Sequence, residues 1–186
     1  MCFIYLLFLS MVYFSNGIRI ISIRSGGLKG FYMFGICKYI KENYNLENIA
    51  YFGASAGAWN SLFLSDKTRN DKLYNYLTNL KVNNFKNLYE IELLLKGFIL
   101  NNYNDEDFDL NKLNLCVAVL KDCRIKRKTF SNFNSLEDTL NCCLASSHIP
   151  YITNRSATFT YRNFNCVDGG FFRDPHNKFI KPNLLI

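Results

Sequence analysis

Five small residues, Gly53-Ala54-Ser55-Ala56-Gly57, stand between the apolar run Ile49-Ala50-Tyr51-Phe52 and the apolar stretch from Trp59 to Leu64. The order reads as strand, sharp turn, helix, which belongs at the carboxyl edge of an α/β sheet. Glycines on both flanks remove the Cβ atoms that such a turn would crowd, while the helix start aims free N–H groups toward the serine. A serine held this way is presented as a nucleophile. A plain Gly/Ser-rich turn is the blander reading of the same letters, and the flanking strand and helix weigh against it.

The segment upstream completes the unit. Ile18 to Ile23 reads as a buried strand, followed by Ser25-Gly26-Gly27-Leu28-Lys29-Gly30 and a helix whose Met33, Ile36, Cys37, Ile40 and Tyr44 follow helical spacing. With the strand at 49–52 this makes one βαβ unit, its strands parallel neighbours joined by a right-handed crossover. Downstream, Lys72 to Leu80 and Leu88 to Phe98 read as helices, and Leu113 to Leu120 and Lys128 to Ser131 as strands. The basic run Arg124-Ile125-Lys126-Arg127-Lys128 between those strands reads as a solvated turn. Ser135-Leu136-Glu137-Asp138 resembles a capping box opening a helix through Ala145, which must end before Ile149-Pro150 because a residue preceding proline avoids the helical region. Tyr161 to Val167 then reads as one strand leading into Asp168-Gly169-Gly170. The sum is an α/β fold with a mostly parallel central sheet flanked by helices.

An apolar share of 49% in 186 residues is enough to bury one core, so a single domain is expected over residues 18–186, behind an apolar segment at 1–17. Met1 to Phe14 is uncharged and too short to span a bilayer. A signal peptide is one reading: Ser15 and Gly17 suit cleavage, although no Lys or Arg precedes the run. In that case the chain would be routed through the secretory path, and the sequon Asn154-Arg155-Ser156 would matter. The net charge of +7 suits an anionic partner. Without interleaved basic and aromatic residues, no nucleic-acid partner is expected. The seven cysteines form no CxxC pair and have no histidine at zinc spacing, which argues for reduced thiols and against a metal site.

Ligands of open α/β sheets gather at the carboxyl ends of strands, so the glycine loop and Ser55 belong on neighbouring ends. Converging amides at Gly26, Gly27 and Gly30 suit a phosphate or a developing oxyanion. Neither the Gly-Lys-Ser/Thr of a P-loop nor GxGxxG is present, so an oxyanion hole is the better assignment. The serine also needs a base. His148, two residues before Pro150, suits a helix cap at least as well, and His176 follows Asp168 too closely (176 minus 168 is eight) for the usual order of an α/β-hydrolase. Asp168, at the end of an apolar strand, is the stronger candidate. Its ordinary pKa of about 3.9 makes a poor base, so burial would have to raise it. An Asp-Gly turn is its plainer reading. Phe171 and Phe172 beside it suit an acyl-binding wall.

SGGLKG, GASAG and DGG, in this order, resemble the three motifs of the patatin-like phospholipases, over Ile18 to about Pro175. Ala145-Ser146-Ser147-His148-Ile149-Pro150 is similar to the family's small-residue segment ending in proline. The resemblance implies a three-layer α/β architecture and a lipid acyl hydrolase of phospholipase A type. Ser55 would be the acyl-forming nucleophile and Asp168 the base of a Ser-Asp dyad. The amides of Gly26, Gly27, Leu28, Lys29 and Gly30, with Ala56, would form the oxyanion hole, and Gly53, Gly57, Gly169 and Gly170 would be the motif glycines. No histidine, metal or cofactor is implied. The partners would be a phospholipid or other fatty-acyl ester and the membrane surface that holds it. A catalytically inactive lipid-binding or interaction protein on the same scaffold is the alternative. Two features depart from the family pattern: Ser25 stands where the glycine run usually begins, and 18 residues follow Asp168 (186 minus 168) where relatives carry further structure.

Overall fold

The computed structural model describes residues 19–68, 70–80, 85, 87–122 and 124–186. The apolar segment at 1–17, with its reading as a signal peptide, and Cys2 and Cys123 lie outside these residues. The first unit is built as its pattern dictates: β1 (Arg19–Ile23), α1 (Gly30–Asn43), β2 (Ile49–Ala54) and α2 (Ala56–Ser65). β1 and β2 run parallel, from Arg19 opposite Ile49 to Ile23 opposite Gly53. α1 buries Met33, Phe34, Cys37 and Ile40. Gly53 and Ala54 belong to β2 itself, so the turn contracts to Ser55 alone.

Next come α3 (Lys72–Thr78) and α4 (Leu88–Asn102), β3 (Leu113–Lys121) and β4 (Arg124–Phe130), then α5 (Leu136–Ser146). β5 (Phe159–Tyr161), β6 (Phe164–Val167) and β7 (Leu184–Leu185) complete the sheet. The basic run is strand β4 rather than a turn. Because β4 pairs only with β3, both its faces reach solvent over most of its length, and Lys and Arg are tolerated on such an edge. The single strand expected over Tyr161 to Val167 is instead a hairpin. Arg162 and Asn163 are both left-handed (φ 43° and 62°), as a two-residue hairpin turn requires, and the Arg162 guanidinium is tied to Asp138. Ser135 caps α5 through Asp138 N–H (3.1 Å), but the Asp138 carboxylate returns to Asn134 N–H (3.2 Å) instead of Ser135, so the box closes one residue early.

The result is a mixed sheet, mostly of parallel strands, flanked by five α-helices among the described residues. β7, β1, β2 and β3 are mutually parallel, while β4 and β6 lie antiparallel on β3. β3 decides where the site forms. β4 covers one edge of it from Leu115 to Lys121, so β2 and β6 must share the other edge. They run toward each other along it: Ala54 ends β2 opposite Cys116, and Val167 ends β6 opposite Ala118. The next residues, Ser55 and Asp168, are thereby both delivered to the level of Val117. Fully buried Ile23, Leu62, Leu113 and Leu115 anchor this junction, each worth about 1.5–3 kcal/mol of burial. The five described cysteines are buried and unpaired, and burial pushes the Cys37 thiol up to about 12 and the Cys116 thiol to about 11. These thiols behave as small apolar side chains.

Candidate active site

Ser55 closes β2 with φ 55° and ψ −125°, a left-handed conformation that costs a non-glycine residue roughly 1–3 kcal/mol. The surroundings hold it there. Its N–H donates to Ser146 Oγ (2.8 Å), and the Ser146 hydroxyl donates to the Cys116 carbonyl of β3 (2.7 Å). The neighbouring chains leave no room for a side chain at the flanks: a Cβ on Gly57 would lie 2.1 Å from the Ile23 carbonyl oxygen, and one on Gly53 would lie 2.4 Å from that of Gly57. Glycine is required at these positions by close backbone approach.

Asp168 arrives from the opposite direction. Its N–H is anchored on the His148 carbonyl (2.8 Å), Oδ2 accepts the Ser55 hydroxyl (2.7 Å), and Oδ1 accepts Gly170 N–H. Gly169 lets the chain turn against β3, since a Cβ there would stand 2.1 Å from the Cys116 carbonyl oxygen. Burial raises the Asp168 pKa above the ordinary carboxylate value, opposed by the hydrogen bonds from Ser55 and Gly170. The shift is toward a better base. Expected as an Asp-Gly turn or as a partner of Ser55, Asp168 forms both.

The glycine loop is narrower as a donor set than its letters imply. Gly27–Lys29 form one turn of 3-10 helix, with Lys29 N–H committed to the Gly26 carbonyl (3.0 Å) and Gly30 N–H to the carbonyls of Gly27 and Leu28. Lys29 and Gly30 therefore drop out of the expected oxyanion hole. Gly26, Gly27 and Leu28 remain as the amides not held by that turn, with Ala56 at the start of α2. Gly30 has a packing role, because a Cβ there would meet the Ala56 Cβ at 2.7 Å. Asn60 ties loop to elbow, donating to the carbonyls of Gly30 (3.2 Å) and Ala56 (2.8 Å).

Gly27, Leu28, Ser55 and Ala56 face one cavity of about 110 Å³, whose remaining wall is largely apolar: Phe34, Leu62, Phe63, Leu73, Leu95 and Ile99. The wall comes from four helices. Phe171 and Phe172 take no part in it. Phe171 is exposed, and Phe172 lies under the Arg127 guanidinium at 4.8 Å, because the turn after Asp168 carries both away from the cavity. Nor do the histidines approach the serine's side chain. His176 bonds Ser22 (2.7 Å), and α5 is capped at Ser147, leaving His148 to serve Asp168 through its carbonyl. Ser146, Asn60 and Glu92 were not legible as site residues, since their roles arise only from contacts between distant segments.

Fold and site together define an α/β protein in which a hydroxyl and a buried carboxyl meet at the end of an apolar cavity. The family model described as Patatin-like phospholipase matches residues 21–177, and the chain belongs to that family. Members of that family generally hydrolyse lipid esters, a chemistry of lipid metabolism. No curated protein matches the chain.

Proposed function

We propose that the protein is a phospholipase A-type acyl hydrolase acting through a Ser55–Asp168 dyad. The observation that carries this reading is the 2.7 Å contact from Ser55 Oγ to Asp168 Oδ2 beside an apolar cavity. Asp168 takes the hydroxyl proton as Ser55 Oγ attacks the acyl carbonyl, and the amides of Gly26, Gly27 and Leu28, with Ala56, hold the oxyanion. The protonated Asp168 then returns that proton to the departing alcohol, leaving an acyl-Ser55 ester. Water, deprotonated by Asp168, attacks the ester; the fatty acid leaves as Ser55 recovers its proton. Every proton moves between groups of this chain, water and substrate.

A lipid aggregate is the natural source of such a chain. Exposed Leu28 at the cavity's rim, exposed Tyr32 beyond it and the net charge of +7 support peripheral contact with an anionic bilayer. Among the described residues no helix is long and apolar enough to cross a membrane. The test is release of fatty acid from phospholipid vesicles by wild type and Ser55→Ala, together with covalent labelling by a fluorophosphonate. Labelling and release should both vanish in the variant. A wild-type protein that binds vesicles but neither labels nor hydrolyses would be a lipid-binding scaffold instead.

A further inference from the structure

The buried face of α4 consists of Ile91, Glu92, Leu95 and Ile99, so a carboxyl stands where helical spacing calls for an apolar side chain. Glu92 is 9% exposed, and its Oε2 is fully buried with no hydrogen-bond partner. It lines the same cavity as Ser55. No cation answers it among the described residues: Lys96, one turn on, is bound to Glu137 (3.3 Å) and Asn141 (2.8 Å) on α5. Ser147 and Trp59 flank the carboxyl and hydrogen-bond to it, although each also has another partner, Trp59 Nε1–H donating to Ser147 Oγ (3.3 Å) and the Ser147 hydroxyl to the Cys143 carbonyl (2.8 Å), and Oε2 is left unmet. Burial pushes Glu92 up to about 8, hydrogen bonds with Ser147 and Trp59 oppose the rise, and the negative charge of Asp168 adds to it. The rise favours the protonated carboxyl, which offers one O–H donor and a carbonyl acceptor.

An unmet buried polar group is costly, and the chemistry that meets it is a hydroxyl, which can both donate and accept. A lipid headgroup is a poor occupant, because Glu92 lies between Ile91 and Leu95 and away from solvent. We propose that Glu92 is a specificity-determining residue of the acyl pocket, whose carboxyl pairs with a hydroxyl carried on the acyl chain, so that hydroxylated fatty-acyl esters are taken in preference to plain ones. This rests on the reading of the cavity as the acyl site. A plain chain filling the same space would dry the carboxyl and leave Oε2 without a partner, and sites built to bond a hydroxyl discriminate strongly against analogues that lack it.

The test compares nitrophenyl esters of dodecanoic acid with esters of the same acid hydroxylated at successive carbons, and repeats the pair in phospholipids. Wild type should favour at least one hydroxylated chain by about tenfold or more in kcat/KM, with either leaving group. Glu92→Gln should retain that preference, and Glu92→Leu should invert it toward the plain chain. A wild-type ratio near unity at every position, as expected if water satisfies Glu92, or a ratio that Glu92→Leu leaves intact, would overturn the inference. Calorimetric binding of the free acids to Ser55→Ala separates the two readings. Tighter binding of a hydroxylated acid without wild-type hydrolysis would sink the hydrolase and leave the role of Glu92 standing. Equal hydrolysis of both esters would do the reverse.

Discussion

Two buried serines of this protein each lie 2.7 Å from a titratable partner, Ser55 beside Asp168 and Ser22 beside His176. Distance alone would rank them equally. Ser22 sits in mid-strand on β1, paired with Phe52 on one side and Leu185 on the other, fully buried and outside the wall of the Ser55 cavity. The His176 ring meets Phe52 edge-on at 6.5 Å, and its carbonyl accepts Arg127 (3.0 Å) while Arg24 binds Asp174 nearby. That cluster fastens the segment after Asp168 to the sheet. Ser55 has in addition a left-handed backbone, amides close at hand and an apolar space for a ligand. A hydroxyl against a base becomes a reactive site only when substrate can reach it and developing charge has donors to meet.

The sharpest way to break this comparison is to delete each hydroxyl in turn. Ser55→Ala and Asp168→Asn should each lower kcat on phospholipid vesicles by at least about 10⁴-fold, as loss of a nucleophile or its base does in other serine hydrolases. Ser22→Ala should leave kcat within a few-fold of wild type, roughly the reach of a distant structural change. Equal losses would make the two serines one functional unit.

Stability should separate the regions next. Gly57→Ala places a methyl 2.1 Å from the Ile23 carbonyl oxygen and should cost about 3 kcal/mol or more in urea unfolding, because two backbones would have to part. Ser146→Ala should cost about 1–3 kcal/mol, since it strips a partner from both Ser55 N–H and the Cys116 carbonyl. It should also lower kcat, whereas Ser22→Ala should cost about 1 kcal/mol of stability without that effect.

The smallest effects concern pH: the pKa shifts beside the two serines are opposite in sign, yet one costs activity and the other stability as pH falls. Asp168 must be ionised to accept the Ser55 proton, and its pKa is raised, so the acid limb of kcat/KM should lie above the ordinary carboxylate value of about 3.9. His176 is shifted down, chiefly by burial, with Asp174 opposing and Arg127 and Arg24 reinforcing. The unfolded chain therefore binds more protons than the folded one as pH falls through about 6.5, and stability should decline there. His176→Asn should flatten part of that slope in unfolding measurements, with His148, also lowered by burial, supplying a further part.

What could be read along the chain was local. The strand, elbow and helix around Ser55 were legible because small residues mark the turn between two apolar runs, although the close approach that requires Gly57, to the Ile23 carbonyl, comes from a neighbouring strand. The early helices were legible because their apolar faces repeat with the helical period. The basic run at Arg124 misled, since charge resembles a solvated turn until an edge position in the sheet gives it somewhere to point. Arg162 and Asn163 misled in the other direction, hiding a hairpin turn inside a run read as one strand.

The amino-acid order by itself determined a serine on a strand-to-helix turn, a glycine loop after the neighbouring strand and an Asp-Gly-Gly turn, because each is signalled by residues within one short segment. Only the tertiary structure decided that the hydroxyl and the carboxyl meet. β2 and β6 converge on one edge of β3, and register along that edge is a property of strands far apart in the chain. The same is true of Ser146 beneath the elbow and Glu92 in the cavity wall, whose neighbours are chosen by packing between helices and sheet.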